Sequence, residues 1–295
     1  MKLRRALYGV LLVLQAGLVI TGGAVRLTGS GLGCPTWPEC TPGSYTPVPH
    51  QAEGQLHAWI EFGNRLLTFA LVAVALAVLA HVLFKRRKDL RLLAVGQVLG
   101  ILGQGVLGGI TVLTDLHPLP VAGHLLLSII LIAGAASIYD RRENAVLRVK
   151  PEERITSLLS TAHLHLTFLV IVLGTLVTGS GPHAGDEKAQ RFGFDIRSVS
   201  VLHADAVIAL LGITLALYVA ARANPLHHRR ILVFTAIALA QGAIGYIQYF
   251  TGIPEILVAA HLLGATLVWI AAWRIRLAIT TSPVRTPSTK AGDNS

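Results

Sequence analysis

Eight runs of apolar residues divide this chain, and each is long enough to cross a hydrocarbon core, for which a helix needs roughly 20 residues. They fall at about 5–27, 57–84, 92–114, 120–139, 155–179, 199–221, 229–251 and 255–279. Backbone inside lipid has no water to bond, so such runs fold as helices that satisfy their own amides. Hydrophobic residues make up 53% of the chain and charged ones 14%, so no separable soluble domain is expected. The fold class is all-α integral membrane. The first run lacks a small-residue cleavage site and its motif continues into the next loop, so it reads as a retained helix rather than a signal peptide. Residues 281–295, rich in Pro, Ser and Thr, read as a disordered tail.

The net charge of +10 would suit nucleic acid, but its distribution points to topology instead. Lys2, Arg4 and Arg5 precede the first span. Lys85, Arg86, Arg87, Lys88 and Arg91 lie between the second and third. Arg141, Arg142, Arg148, Lys150 and Arg154 follow the fourth, Arg222, Arg229 and Arg230 the sixth, and Arg274 and Arg276 end the eighth. All fall on one side if the helices alternate. The opposite loops carry only Arg26, Lys188, Arg191 and Arg197. The positive-inside rule then makes both termini cytoplasmic in a cell-membrane protein. The partner of the basic excess is the lipid bilayer, and no nucleic acid is expected.

The second half repeats the first. Gln104, Gly105 and Gly108 recur as Gln241, Gly242 and Gly245, and Thr114 recurs as Thr251. Val121, Ala122, His124, Leu125 and Leu126 recur as Val258, Ala259, His261, Leu262 and Leu263, at an unbroken offset of 137. Thr28, Gly29, Ser30 and Gly31 are echoed by Thr178, Gly179, Ser180 and Gly181. Two four-helix halves of the same membrane orientation follow, as two pseudo-symmetric bundles in parallel repeat. The divisions are 1–140, a cytoplasmic linker at 141–154, 155–280, and the tail at 281–295. Gly96, Gly100, Gly103, Gly105, Gly108 and Gly109 crowd the third helix. They let helices approach closely or leave room for a flat ring.

His57, His124, His203 and His261 each sit in the first turns of a helix entered from the outer side. Imidazole near a membrane interior is costly without a role. Four of them on alternate helices point to axial ligands for two hemes. A lone buried His bonded to a carbonyl is the bland alternative for any one of them. The repeat argues against it for His124 and His261. His57, Glu61 and Asn64 or Arg65 share a face of the second helix. Glu61 is placed to exchange protons beside a heme edge, and Arg65 to hold a propionate. A structural Glu61–Arg65 ion pair is the alternative. His163, His165, His81, His227, His228, His50, His117 and His183 read as interface or solvent residues, with His117 and His183 near a site mouth.

Cys34 and Cys40 lie in the first outer loop. That side is oxidising, so a disulfide is expected, and a thiol pair with a redox role is the other reading.

These residues together resemble the heme A synthase family. The resemblance runs through the eighth helix. It rests on Thr21, Gly22, Gly23, Ala24, Val25, Arg26, Leu27 and the Thr28-to-Cys34 segment, on Trp37, Pro38, Glu39 and Cys40, on Glu61, Phe62, Gly63, Asn64 and Arg65, and on the repeated His motifs. It implies stepwise oxidation of the heme O methyl group through an alcohol to the formyl group of heme A. It implies heme b on His203 and His261, a substrate heme on His124, an essential Glu at Glu61, and the Cys34–Cys40 disulfide. It also implies heme O synthase upstream, heme-copper oxidase assembly downstream and an unidentified electron donor. A homo-oligomer is left open.

Two departures stand out. The family's better-known pattern places His three residues after the Glu, where this chain has Asn64. The first-half heme is then held by His124 with His57, or by His124 alone with an open face. The fifth–sixth loop also lacks the cysteine pair that some members carry. The competing reading is a di-heme cytochrome b that only carries electrons. A transporter is the third, disfavoured by the absence of a broken mid-membrane helix with paired charges.

Overall fold

The computed structural model describes residues 2–51, 54–143, 146–148 and 153–283. Eight helices carry nearly all of it: α1 (Lys2–Leu27), α2 (Gln55–Phe84), α3 (Lys88–Leu113), α4 (Pro118–Asp140), α5 (Arg154–Ser180), α6 (Ile196–Ala220), α7 (Pro225–Phe250) and α8 (Glu255–Thr280). Each is long and apolar enough to cross a membrane, and the chain is a multi-pass membrane protein. All eight expected spans are present. Several start earlier than hydropathy places them, because caps decide where a helix starts. Asp195 accepts from the Ser198 amide at the start of α6. Asn224 accepts from the Leu226 and His227 amides ahead of Pro225 in α7. A side-chain oxygen there satisfies amides that the helix leaves unpaired, and proline suits the first turn.

In each half, successive helices pack on one another and the fourth closes on the first. The halves meet where α8 packs on α1 and α4, and α4 on α5. Tyr8, Leu11, Val78 and Ile101 are buried in one core, Leu217, Ile231, Phe234 and Ala272 in the other. Between them, Val19, Ile132, Ile171 and Trp269 form a third. The surface inverts the rule for proteins in water: Leu92 is 85% exposed, Ile256 83% and Phe84 80%, as lipid-facing side chains are. Packing within the bundle therefore leans on polar ties. Gln15 donates to Gln97, which donates to the Leu131 carbonyl. The Trp269 indole donates to the Ile129 carbonyl and that of Trp273 to Ser137 Oγ, stitching α8 to α4.

At the basic end, several cations serve contacts within the protein. Asp140 on α4 lies 3.0 Å from Arg274 on α8 and 3.5 Å from Arg230 on α7, an ion cluster spanning the halves. Arg276 donates to Ser160 Oγ. Thr281–Pro283, where composition begins the tail, pairs antiparallel as β2 with β1 (Val146–Arg148) in the linker. Lys150 and residues 284–295 lie outside the described residues. His163 departs from its expected place at an interface. It is fully buried, edge-on to Phe234, with neither ring nitrogen hydrogen-bonded.

Candidate functional site

The second half brings His203 and His261 together, their ring planes inclined by 67°. They are the eighth residue of α6 and the seventh of α8, so both rings sit at similar depth below the N-terminal ends of their helices. Their ring centroids are 6.4 Å apart. Two imidazoles sharing one metal, each nitrogen about 2 Å from it, put their ring centres roughly 6 Å apart. Each ring backs onto a glycine of the neighbouring helix. A methyl at Gly174 or Gly245 would lie 3.4 Å from Cε1 of His203 or His261. Nδ1 of His203 and Nδ1 of His261 are both buried without a hydrogen-bond partner. Buried polar atoms left so are uncommon. The donor set, spacing and glycine walls fit an iron porphyrin between the two rings.

The first half reproduces half of this. His124 is the seventh residue of α4, and a methyl at Gly108 would lie 3.3 Å from its Cε1. Its Nδ1 too is buried and unpartnered. Gln104 steadies the helix there, donating to the His124 carbonyl and to Ser128 Oγ. Its repeat mate Gln241 instead fills the space that Gly264 leaves beside it. On α2, Asn64 packs near Gly22 and accepts from Thr21 Oγ1 at 2.7 Å. His57 is apart from this group. It is the third residue of α2, and its Nδ1 pairs with Ser30 Oγ at 2.9 Å, which in turn pairs with Thr28 Oγ1.

Glu61 and Arg65 do form an ion pair, at 2.6 Å, and both reach into the loop between α1 and α2. Cys34 and Cys40 are disulfide-bonded. The Cys34 amide donates to Glu61 Oε2 at 2.6 Å. Arg65 donates to Glu61 Oε1 through Nε and Nη2, and to the carbonyls of Cys34, Thr36 and Glu39. Every guanidinium nitrogen is thus engaged. A carboxylate offers about four lone-pair positions, and Glu61 accepts three hydrogen bonds. Trp37 of the same loop lies flat against Gly109 of α3, where any side chain would collide with its indole. The disulfide loop is therefore a cover over one end of the first four helices, fastened by Glu61 and Arg65.

The fifth–sixth loop closes the neighbouring edge. Arg26, at the end of α1, donates to the carbonyls of Thr178 and His183. Gly31 donates to the Gly185 carbonyl, and Leu116, Ala184 and Ala189 pack together beneath. His183 bonds the Ile253 carbonyl at 2.8 Å, and His117 accepts from the Leu119 amide as the N-cap of α4. Asp195, capping the helix that carries His203, has its carboxyl held below the ordinary range by the Ser198 hydroxyl and amide. Sequence reading missed Thr21, Ser30 and Gly174 as ring and amide neighbours; the recurring Gly108 and Gly245 were the available signal.

The sequence model of a family described as cytochrome oxidase assembly protein (COX15-CtaA) matches residues 5–185. A heme A synthase of Shewanella oneidensis is 30% identical over 187 residues, covering 58% of this chain and 54% of that protein. One of Methylobacterium radiotolerans is 33% identical over 215 residues, covering 60% and 56%. One of Geobacillus thermodenitrificans is 29% identical over 119 residues, covering 39% and 35%. The chain spans about half the length, or less, of these curated relatives.

Proposed function

This chain belongs to the COX15-CtaA family of cytochrome oxidase assembly proteins, and we propose that it is a heme A synthase, oxidising the methyl group of heme O to the formyl group of heme A. The observation that carries this reading is the pairing of a closed two-histidine site in one half with a related one-histidine site in the other. Two identical sites would suit electron transfer alone. A fixed site beside a modified one suits a cofactor beside a substrate. The candidate ligands also gather toward one end of the bundle, whereas a trans-membrane electron carrier places hemes near both faces.

In this reading His203 and His261 hold heme b, which supplies one-electron transfer when bound. His124 holds heme O. Glu61, with one lone-pair position unused, takes or returns the proton as the methyl carbon gains oxygen. Arg65 holds Glu61 and the loop in place, and the loop excludes water from the reacting edge. The basic ends lie in the cytoplasm, so the heme sites lie toward the outer face. Heme O synthase delivers the substrate, and assembly of a heme-copper oxidase consumes the product.

The test supplies heme O, a chemical reductant and air to the purified protein in lipid nanodiscs, with mass analysis of the extracted hemes. The expected products are the alcohol, one oxygen heavier, and then the formyl species. Bound heme O recovered unchanged, in protein that retains heme b, would remove the enzyme reading.

A further inference from the structure

The two halves present matching pairs toward their centres, with one exception. In the second, His203 and His261 each back onto a glycine, Gly174 and Gly245. In the first, His124 keeps that setting against Gly108. On α2, Asn64 packs against α1: a methyl at Gly22 would lie 3.8 Å from its Nδ2. Asn64 therefore packs against α1 as His203 packs against α5.

Asn64 is a poor substitute as a ligand. Its side chain is shorter than imidazole, and its amide oxygen, the only atom with a lone pair to offer, already accepts from Thr21 at 2.7 Å. That bond leaves one lone pair of the oxygen and the amide NH2, its only donor group. His57 does not replace it. It lies seven residues earlier on α2, about 10 Å along the axis. Its Nδ1 is tied to Ser30 and, through Ser30, to Thr28.

We infer that the first-half site holds its heme through one protein ligand, His124, and that Asn64 borders an open axial position for a small exogenous ligand, to which its amide NH2 donates a hydrogen bond. Thr21 is the positioning residue that fixes the amide. The inference rests on the reading that the first half binds a heme. It assigns different iron chemistry to the halves: a closed iron at His203/His261, and an iron open to ligand exchange at His124.

The experiment loads the purified full-length chain with ferric heme B as probe and measures heme stoichiometry, electron paramagnetic resonance, and carbon monoxide binding after reduction with dithionite. The wild type should bind two hemes, one low-spin and one high-spin, and only the latter should take carbon monoxide. His124→Ala should lose the high-spin heme. Asn64→His should convert it to low-spin, with loss of carbon monoxide binding. Thr21→Val should keep both hemes but speed carbon monoxide release, as the donor loses its orientation. Two low-spin hemes in the wild type, neither taking carbon monoxide, would overturn the inference while leaving the first-half heme in place. A His57→Ala variant in which a low-spin heme becomes high-spin would name His57 as the second ligand and overturn it too. One heme per chain, unchanged by His124→Ala, would instead overturn the first-half heme itself, and the inference with it.

Discussion

Arg65 Nη2 lies 2.6 Å from Glu61 Oε1, one turn apart on α2, and the pair grips the disulfide loop through the Cys34 amide and three loop carbonyls. Removing one partner of a buried pair costs about 3–5 kcal/mol, because the other charge is left uncompensated. Arg65→Ala should therefore lower the thermal midpoint markedly and open the loop to proteolysis. Glu61→Gln keeps the shape and drops the charge. It should retain the fold and heme b while blocking formyl formation. Normal heme A output from Glu61→Gln would remove Glu61 from the chemistry.

The Cys34–Cys40 bridge closes a short loop, so its effect on stability should sit near the low end, about 2 kcal/mol. Its effect on the site should be larger. Cys34 gives its amide to Glu61 and its carbonyl to Arg65, so reduction loosens both. Cys34→Ser with Cys40→Ser should leave heme b content near wild type while product formation drops. Hydrogen exchange across residues 33–44 should rise. Unchanged exchange there would mean that the ion pair alone holds the loop.

The glycines behind the imidazoles should be intolerant in proportion to side-chain size. A methyl at Gly245 sits 3.4 Å from His261 Cε1, a contact the ring absorbs by a small shift. A branched side chain reaches into the ring itself. Gly245→Ala should keep most heme b, and Gly245→Val should lose it, as should His203→Ala. Equal heme content in the alanine and valine variants would show that the ring does not rest on that glycine when heme is bound.

Asp195 gives the start of α6 a pH dependence. Ser198 holds its carboxyl below the ordinary value, so the cap's contribution is present above the unfolded value of about 3.9 and is lost as pH falls through the lower folded value. Amides at the start of α6 should exchange faster on going from about pH 5 to about pH 3 than the acid dependence of free peptide allows. Asp195→Asn, which caps without titrating, should abolish that step. A step that persists in Asp195→Asn belongs to another group.

Much of this architecture is legible in the sequence, because a bilayer accepts few folds. Eight apolar runs become eight helices, and across the repeat at offset 137 His124 and His261 share a glycine-backed setting. What is not legible depends on backbone acceptors and on crossings between distant segments. Arg65 and Arg26 are held by carbonyls, which every residue carries and no pattern marks. Asp140, Arg230 and Arg274 come from three helices that only the tertiary fold assembles. His163 sits on a stripe of α5 with Thr156, Ser160, Thr167 and Thr175, and this polar stripe is the buried face, the reverse of what a protein in water leads one to expect. Asn64 is visible as a departure from a family pattern; that Thr21 engages its oxygen is visible only in three dimensions.

The central claim is that this chain turns heme O into heme A. The most direct measurement expresses it in a host that makes heme O but no heme A, extracts the membrane hemes, and compares their masses with those from the host alone. Heme A, or its alcohol intermediate, should appear with the chain present and be absent from His124→Ala membranes. Heme O alone, from membranes in which the chain is present with its heme b, would contradict the account.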